Sequence, residues 1–117
     1  PDLQPQLVPG WNFYDNNDNV ADVQGHGTRV AGIAAAAGNN GVGVASVGLR
    51  SRIMPMRVTD TTGNGYYSLM AAALISAADS GARVANISVS GVSARSTVDS
   101  ARSSRTYGTL LGRSAVS

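Results

Sequence analysis

The stretch between residues 52 and 90 constrains the fold most, because it predicts a strand, a helix and a second strand in succession. Residues 52–58 are mostly apolar, as in a buried strand. A helix is expected from residue 67 or 68 to about residue 80. Residues 83–90 complete the unit as a second strand. A strand–helix–strand unit of about 40 residues implies parallel strands joined by a right-handed crossover, so the fold class is α/β.

Two loops of this unit are candidates for function, since functional groups collect at the carboxyl ends of parallel strands. Residues 63–65 and 88–90 fall at such ends. Gly81 is the expected C-terminal stop of the helix. The expected core stripe of the helix comprises Leu69, Ala72, Ala73, Ile75 and Ala77.

The only histidine of the chain, His26, lies between two glycines. Four alanines occupy positions 34–37, so a helix is expected over residues 28–37, with Thr28 as its N-cap. His26 then stands on a loop just ahead of the helix, where the glycines leave its ring unobstructed. This placement suits a catalytic base, although a lone histidine can also be structural or simply solvated.

Composition narrows the class of protein. The 117 residues are enough for one domain at most, and 43% of them are hydrophobic, which allows a packed core. The sequence has no apolar run of about 18 residues that could span a membrane. The net charge of +2 is too small to argue for a nucleic-acid or membrane partner. No cysteine is present, so disulfides contribute nothing.

Two polar loops flank the helix that follows His26. Residues 15–22 are rich in aspartate and asparagine, which fits a solvated loop or a cation site, but not an EF-hand. Residues 38–48 are rich in glycine. Their glycine spacing does not match a phosphate-binding motif, and no strand leads into them.

The motif G-H-G-T-R-V-A-G at residues 25–32 resembles the histidine motif of the subtilisin-like serine proteases (peptidase S8, subtilases). Further resemblances follow in the family's order and spacing: P-D-L at 1–3, V-P-G-W-N-F at 8–13, N-N-G-V-G-V-A-S-V-G at 39–48, R-I-M-P-M-R-V at 52–58, G-N-G-Y-Y at 63–67 and V-A-N-I-S-V-S-G at 84–91. The resemblance covers about residues 1–92 and implies part of a three-layer α/β sandwich with a central, mostly parallel sheet.

The resemblance implies hydrolysis of peptide bonds by an Asp-His-Ser triad, with His26 as the general base. The family's D-T/S-G, A-A-G-N and G-T-S-M-A motifs, which carry the aspartate, an oxyanion donor and the serine, are absent from these 117 residues. We therefore expect the chain alone to be inactive. The alternatives are a non-catalytic peptide-binding relative and a calcium-stabilised module in which His26 is incidental.

The resemblance also implies a cleft that takes an extended peptide by strand addition. The implied substrate-binding residues are Asn64, Gly65 and Tyr66 on one side, Ser88, Val89 and Ser90 on the other, and Tyr67 at a distal apolar pocket. Ser90 stands where the family has glycine, which would alter the first pocket.

A structural calcium ion is implied by the same resemblance. Gly38, Val42 and Val44 would supply carbonyl oxygens, Asn40 its side-chain oxygen and Asp2 its carboxylate. The family further implies a secreted protein that is monomeric when complete.

The last part of the chain departs from the family pattern. Residues 93–117 are rich in serine and arginine, with few large apolar residues. They predict one short helix at most and no buried strand. We expect residues 1–92 to be the peptidase-like part and residues 93–117 to be a divergent tail, truncated or frame-shifted in origin.

Overall fold

The computed structural model describes residues 2–88 and the backbone of residues 109–111. The elements in chain order are a 3-10 helix at Gln4–Gln6, β1 at Trp11–Asn12, α1 at His26–Ala35, β2 at Met56–Arg57, α2 at Tyr67–Asp79, β3 at Val84–Asn86 and β4 at Thr109–Leu111. Strands and helices alternate from β1 to β3, as expected for an α/β fold.

Both described sheets consist of two parallel strands. β1 pairs with β2, and Trp11 lies opposite Met56. β3 pairs with β4. The first sheet packs closely at Gly10, where a Cβ atom would lie 1.9 Å from the carbonyl oxygen of Pro55. Parallel pairing agrees with the sequence prediction. However, β2 and β3 belong to different sheets among the described residues, so they are not paired neighbours.

β4 is an element that the sequence did not predict. The composition of residues 93–117 predicted no buried strand, and Thr109–Leu111 extends alongside Val84–Asn86. Three residues are too few to produce a periodic signal in the sequence, so their strand character comes from the partner strand.

α2 supplies most of the described core. Its bounds agree with the prediction, and Gly81 ends it with a φ of 97°. The N–H of Ala82 donates to the carbonyl of Ala77 at 2.9 Å, which closes a Schellman motif. The predicted stripe was partly wrong: the buried residues are Ala71, Ala73, Leu74 and Ala77, and Ala72 is exposed. On a helix this rich in alanine, periodicity marks the buried face weakly.

The other described core residues are Ala35 and Ala36, at the end of α1. α1 was predicted to reach residue 37. It ends at Ala35 because the N–H of Ala37 donates to the carbonyl of Asp2 at 2.9 Å instead of to its own helix. No helix in the described part of the chain is long and apolar enough to cross a membrane.

The polar run at residues 15–22 is organised by Asn12, which is fully buried. Its Nδ2 donates to the Oδ2 of Asp15 and to the carbonyl of Asn19, both at 2.9 Å. Its Oδ1 accepts the N–H groups of Tyr14 and Asp15 at 3.0 Å. Within residues 2–88 and 109–111, no three acidic, histidine or cysteine side chains gather as metal ligands. Residues 15–19 are exposed, as a solvated loop would be.

Candidate functional site

His26 is the first residue of α1 and not a loop residue ahead of it. The predicted N-cap was also wrong. Gly25 precedes the helix, and the backbone N–H of Thr28 donates to the Oδ2 of Asp22 at 2.7 Å. Since Asp22 accepts this N–H group from upstream, the helix begins two residues earlier than predicted.

The carboxylate of Asp22 also closes the turn ahead of His26. Its Oδ1 accepts the N–H groups of Gly25 at 2.8 Å and Gln24 at 3.1 Å. Burial raises the pKa of Asp22, but the hydrogen bonds from Thr28, Gly25 and Gln24 outweigh it and leave the pKa below its ordinary value. The carboxylate is therefore held in its charged form.

The imidazole of His26 is exposed and reaches across to the residues that follow β3. Its Nε2 lies 2.9 Å from the carbonyl oxygen of Ser88, 62 positions away in the sequence. A carbonyl oxygen only accepts hydrogen bonds, so Nε2 carries the proton in this arrangement. The structure thus brings His26 and Ser88 together. Val89 and Ser90, the other residues predicted for this side of the cleft, lie outside the described residues.

The residues predicted for the opposite side of the cleft follow a tight loop built on Asp60. The Oδ1 of Asp60 accepts the N–H groups of Thr62 at 2.8 Å and Asn64 at 2.9 Å. The hydroxyl of Thr62 contributes most, with these N–H groups, to lowering the pKa of Asp60. Gly65 then pairs with Thr59 in an antiparallel bridge. The loop is thereby fixed by its own carboxylate.

Beyond this loop, Tyr66 is extended and 67% exposed, and Tyr67 begins α2 half-buried. The hydrogen bonds of residues 2–88 do not join Asn64, Gly65 or Tyr66 to His26. The two loops meet elsewhere: a Cβ atom on Gly63 would lie 2.6 Å from the Oε1 of Gln24. Gln24 therefore lies directly against the backbone of Gly63.

Asp22, Gln24 and Asp60 were not predicted as site residues. An aspartate placed four residues before His26, and another two residues before a threonine, are the signals that could have identified the two carboxylates. The contact of Gln24 with Gly63 joins positions 39 residues apart and has no local signal.

The residues predicted to hold calcium come together around Asp2. The Nδ2 of Asn40 donates to the Oδ1 of Asp2 at 2.9 Å, and the N–H of Val44 donates to its Oδ2 at 3.2 Å. Residues 37–45 line a cavity of about 290 Å³. The carbonyl oxygens of Gly38, Val42 and Val44 accept no hydrogen bond from any described residue. Free carbonyls beside a carboxylate and an amide are oxygen ligands that fit Ca²⁺.

Chemically, the site offers an exposed imidazole on a fixed turn. No carboxylate of the described residues accepts a hydrogen bond from the ring of His26. The described residues therefore provide a proton acceptor and donor without the partner that would fix its tautomer for catalysis.

Comparisons with known proteins match this chain to one protein family and to several of its relatives. The family model of the Subtilase family (peptidase S8) matches residues 1–115. Thermophilic serine proteinase of Bacillus sp. (strain AK1) is 46% identical over 89 residues, which cover 76% of this chain and 22% of that protein. Thermitase of Thermoactinomyces vulgaris is 42% identical over 91 residues, which cover 78% of this chain and 33% of that protein.

Among solved structures, that of Sphericase matches with a TM-score of 0.78 at 29% identity, covering 86% of this chain and 36% of the other. This likeness supports the α/β fold. The chain spans 22% and 33% of the lengths of the two relatives named above.

Proposed function

Since this chain belongs to the subtilase family, we propose that it carries the general base, His26, of a serine endopeptidase. His26 would take the proton of an attacking serine hydroxyl and pass it to the leaving amine. The observation that carries the proposal is the exposed ring at the start of α1, on a turn closed by Asp22. A base must reach the reacting atoms in a fixed orientation, and the exposed ring and the closed turn support the proposal on both points.

The contact of the His26 ring with Ser88 supports a need for further groups. In the triad mechanism, Nδ1 holds a proton toward an aspartate, while Nε2 is free to accept one from the serine. Here Nε2 faces the carbonyl of Ser88 and carries the proton. We propose that hydrolysis requires an aspartate and a serine from outside these 117 residues, and that the chain alone is inactive.

The proposed substrate is an extended peptide or protein segment. It would lie between Asn64–Tyr66 and the residues from 88 to 90, paired through its backbone. The exposure and extended backbone of Tyr66 support this arrangement. Tyr67 would contact an apolar side chain of the substrate. Secretion of the protein is part of the same proposal, and fractionation of the source cells tests it.

The experiment compares hydrolysis of a chromogenic peptide by the complete protein that contains this chain and by its His26→Ala variant. We expect kcat to fall about a million-fold, which is the loss reported for the equivalent change in subtilisin itself. Arg50→Ala, a change at an exposed turn residue, is the matched control and should retain activity.

Unchanged turnover in a folded His26→Ala protein would contradict the proposal. A complete protein that binds the peptide without cutting it, with or without His26, would instead support the peptide-binding alternative, in which the cleft is retained and the triad is not.

We also propose that Asp2, Asn40 and the carbonyls of Gly38, Val42 and Val44 hold a structural Ca²⁺. The three free carbonyls support it. At 100 times its Kd, calcium should increase the free energy of unfolding by about 2.7 kcal/mol. The melting temperature should rise accordingly. Asp2→Asn should reduce this shift. Equal melting in calcium and in chelator would refute the site.

A further inference from the structure

We infer that Asp22 is a positioning residue for His26: its carboxylate fixes the backbone on both sides of the histidine and thereby aims the imidazole. The catalytic meaning of this inference rests on the proposed function. The geometric part, namely that Asp22 determines where the ring lies, does not.

The carboxylate bridges the residues on either side of His26. Oδ1 accepts the N–H groups of Gln24 and Gly25, the two residues before the histidine, at 3.1 and 2.8 Å. Oδ2 accepts the N–H of Thr28, two residues after it, at 2.7 Å. One rigid, planar group therefore sets the separation and orientation of both flanking peptide segments.

Gly25 explains why the cap must come from Asp22. Gly25 has a φ of 80°, in the left-handed region, and it has no side chain to cap the helix that it precedes. The first N–H groups of a helix have no partner within the helix. Asp22 supplies that partner for Thr28, and its negative charge is favourable at this end of the helix dipole.

Once the backbone is fixed on both sides, the imidazole has only its two side-chain torsions left to vary. The result is visible in the contact of Nε2 with the carbonyl of Ser88 at 2.9 Å. A backbone shift at the start of α1 would displace the ring from this contact. In catalysis, a misplacement of about 1 Å can lower the rate about 100-fold.

Asp60 makes a comparable set of hydrogen bonds, but in the neighbouring loop. Asp60 is also an aspartate with a lowered pKa that accepts backbone N–H groups, but its partners are Thr62 and Asn64. Replacing Asp60 by alanine removes one negative charge and a similar number of hydrogen bonds, as Asp22→Ala does. Asp60→Ala is therefore the matched control.

The experiment is nitrogen-15 NMR of the full 117-residue chain at alkaline pH, where imidazole is neutral. His26 is the only histidine, so its ring signals need no assignment by mutation. In the wild type we expect one protonated nitrogen, Nε2, as the contact with the carbonyl of Ser88 requires. In Asp22→Ala, the signals of the two nitrogens should move toward those of free imidazole.

Asp22→Asn keeps one acceptor oxygen and should retain more of this signature than Asp22→Ala. Asp60→Ala should retain all of it. The inference is overturned if Asp22→Ala keeps the wild-type ring signals while its α2 amide signals show a folded chain. It is equally overturned if Asp60→Ala changes the ring signals as much, because the effect would then not be specific to Asp22.

If Asp22→Ala does not fold, Asp22→Asn decides: a partial loss supports the inference and unchanged ring signals refute it. The readout requires no hydrolysis. Failure of the proposed function, seen as peptide cleavage by His26→Ala, would therefore be distinguishable from failure of this inference.

Discussion

The two helices of the described region are held by different interactions. α1 buries one of its ten residues, whereas α2 buries four of its thirteen. The start of α1 is fixed by the carboxylate of Asp22, while the start of α2 has no side-chain cap. The helix that carries His26 is therefore the one with less buried support. Hydrogen bonds near solvent set its position, and apolar packing sets that of α2.

The largest expected effect tests the packing side of this comparison. Leu74 is the one large apolar residue among the buried residues of α2 and is 5% exposed. Leu74→Ala should lower the free energy of unfolding by about 2–5 kcal/mol, since it removes apolar contacts and leaves a cavity. Urea denaturation measures the change.

The matched variant on α1 is Ile33→Ala, because Ile33 is 67% exposed. A surface truncation of this kind should change stability by no more than about 0.5 kcal/mol. If the two variants lose similar stability, the helices do not differ in buried support and the comparison fails.

A smaller effect on stability is expected from replacing one glycine at each helix, because the two glycines differ in backbone conformation. Gly81 has a φ of 97°, and no atom of the described residues, its chain neighbours apart, lies within 4 Å of the position its Cβ would take. Gly81→Ala should therefore cost about 1–2 kcal/mol through backbone strain alone. Gly32, inside α1, is equally free of contacts within the described part. Gly32→Ala should stabilise the chain by about 0.5–1 kcal/mol, because alanine favours helix.

Thermal or urea unfolding of both alanine variants provides the measurement. If both variants change the free energy of unfolding in the same direction, contacts and not backbone conformation determine the effect of these substitutions.

The same contrast explains what the sequence could predict of the fold. The bounds of α2 were predictable because a glycine stop and a long apolar segment are local signals. The start of α1 was not, because it depends on which nearby side chain accepts the N–H of Thr28. Its end was not either, since Asp2, 35 residues upstream of Ala37, takes that N–H group. β4 has only its partner strand to define it.

The candidate site divides in the same way. The resemblance named His26 and Ser88 as site residues from two separate motifs, and the structure brings the two residues into contact. The supporting contacts lie outside the motif. Asp22 acts through three local hydrogen bonds to the backbone, and the aspartate four residues before the histidine is the one signal for them. Gln24 meets Gly63 only because two loops fold against each other, and a long-range contact of this kind leaves no periodic pattern in a single sequence.

The smallest expected effect concerns acid, and it tests the hydrogen-bonded side of the comparison. The pKa of Asp22 is lower in the folded chain than its ordinary value, despite burial, because of its hydrogen bonds. A depressed pKa contributes stability above the unfolded value of about 4, and this contribution is lost as the pH falls through the folded pKa. The protection factors of the Gly25 and Thr28 amides, which correct exchange rates for their intrinsic pH dependence, should therefore fall in that range, before the core of α2 opens.

Asp22→Asn removes the titrating group and should make the protection factor of Thr28 independent of pH over this range. Asp60→Asn should leave the acid sensitivity of Thr28 intact, although the pKa of Asp60 is lowered as well, because its partners lie at residues 62–64. If α1 and α2 amides respond to acid together in the wild type, the start of α1 is not an independent, carboxylate-dependent unit. In that case packing, and not Asp22, would hold both helices.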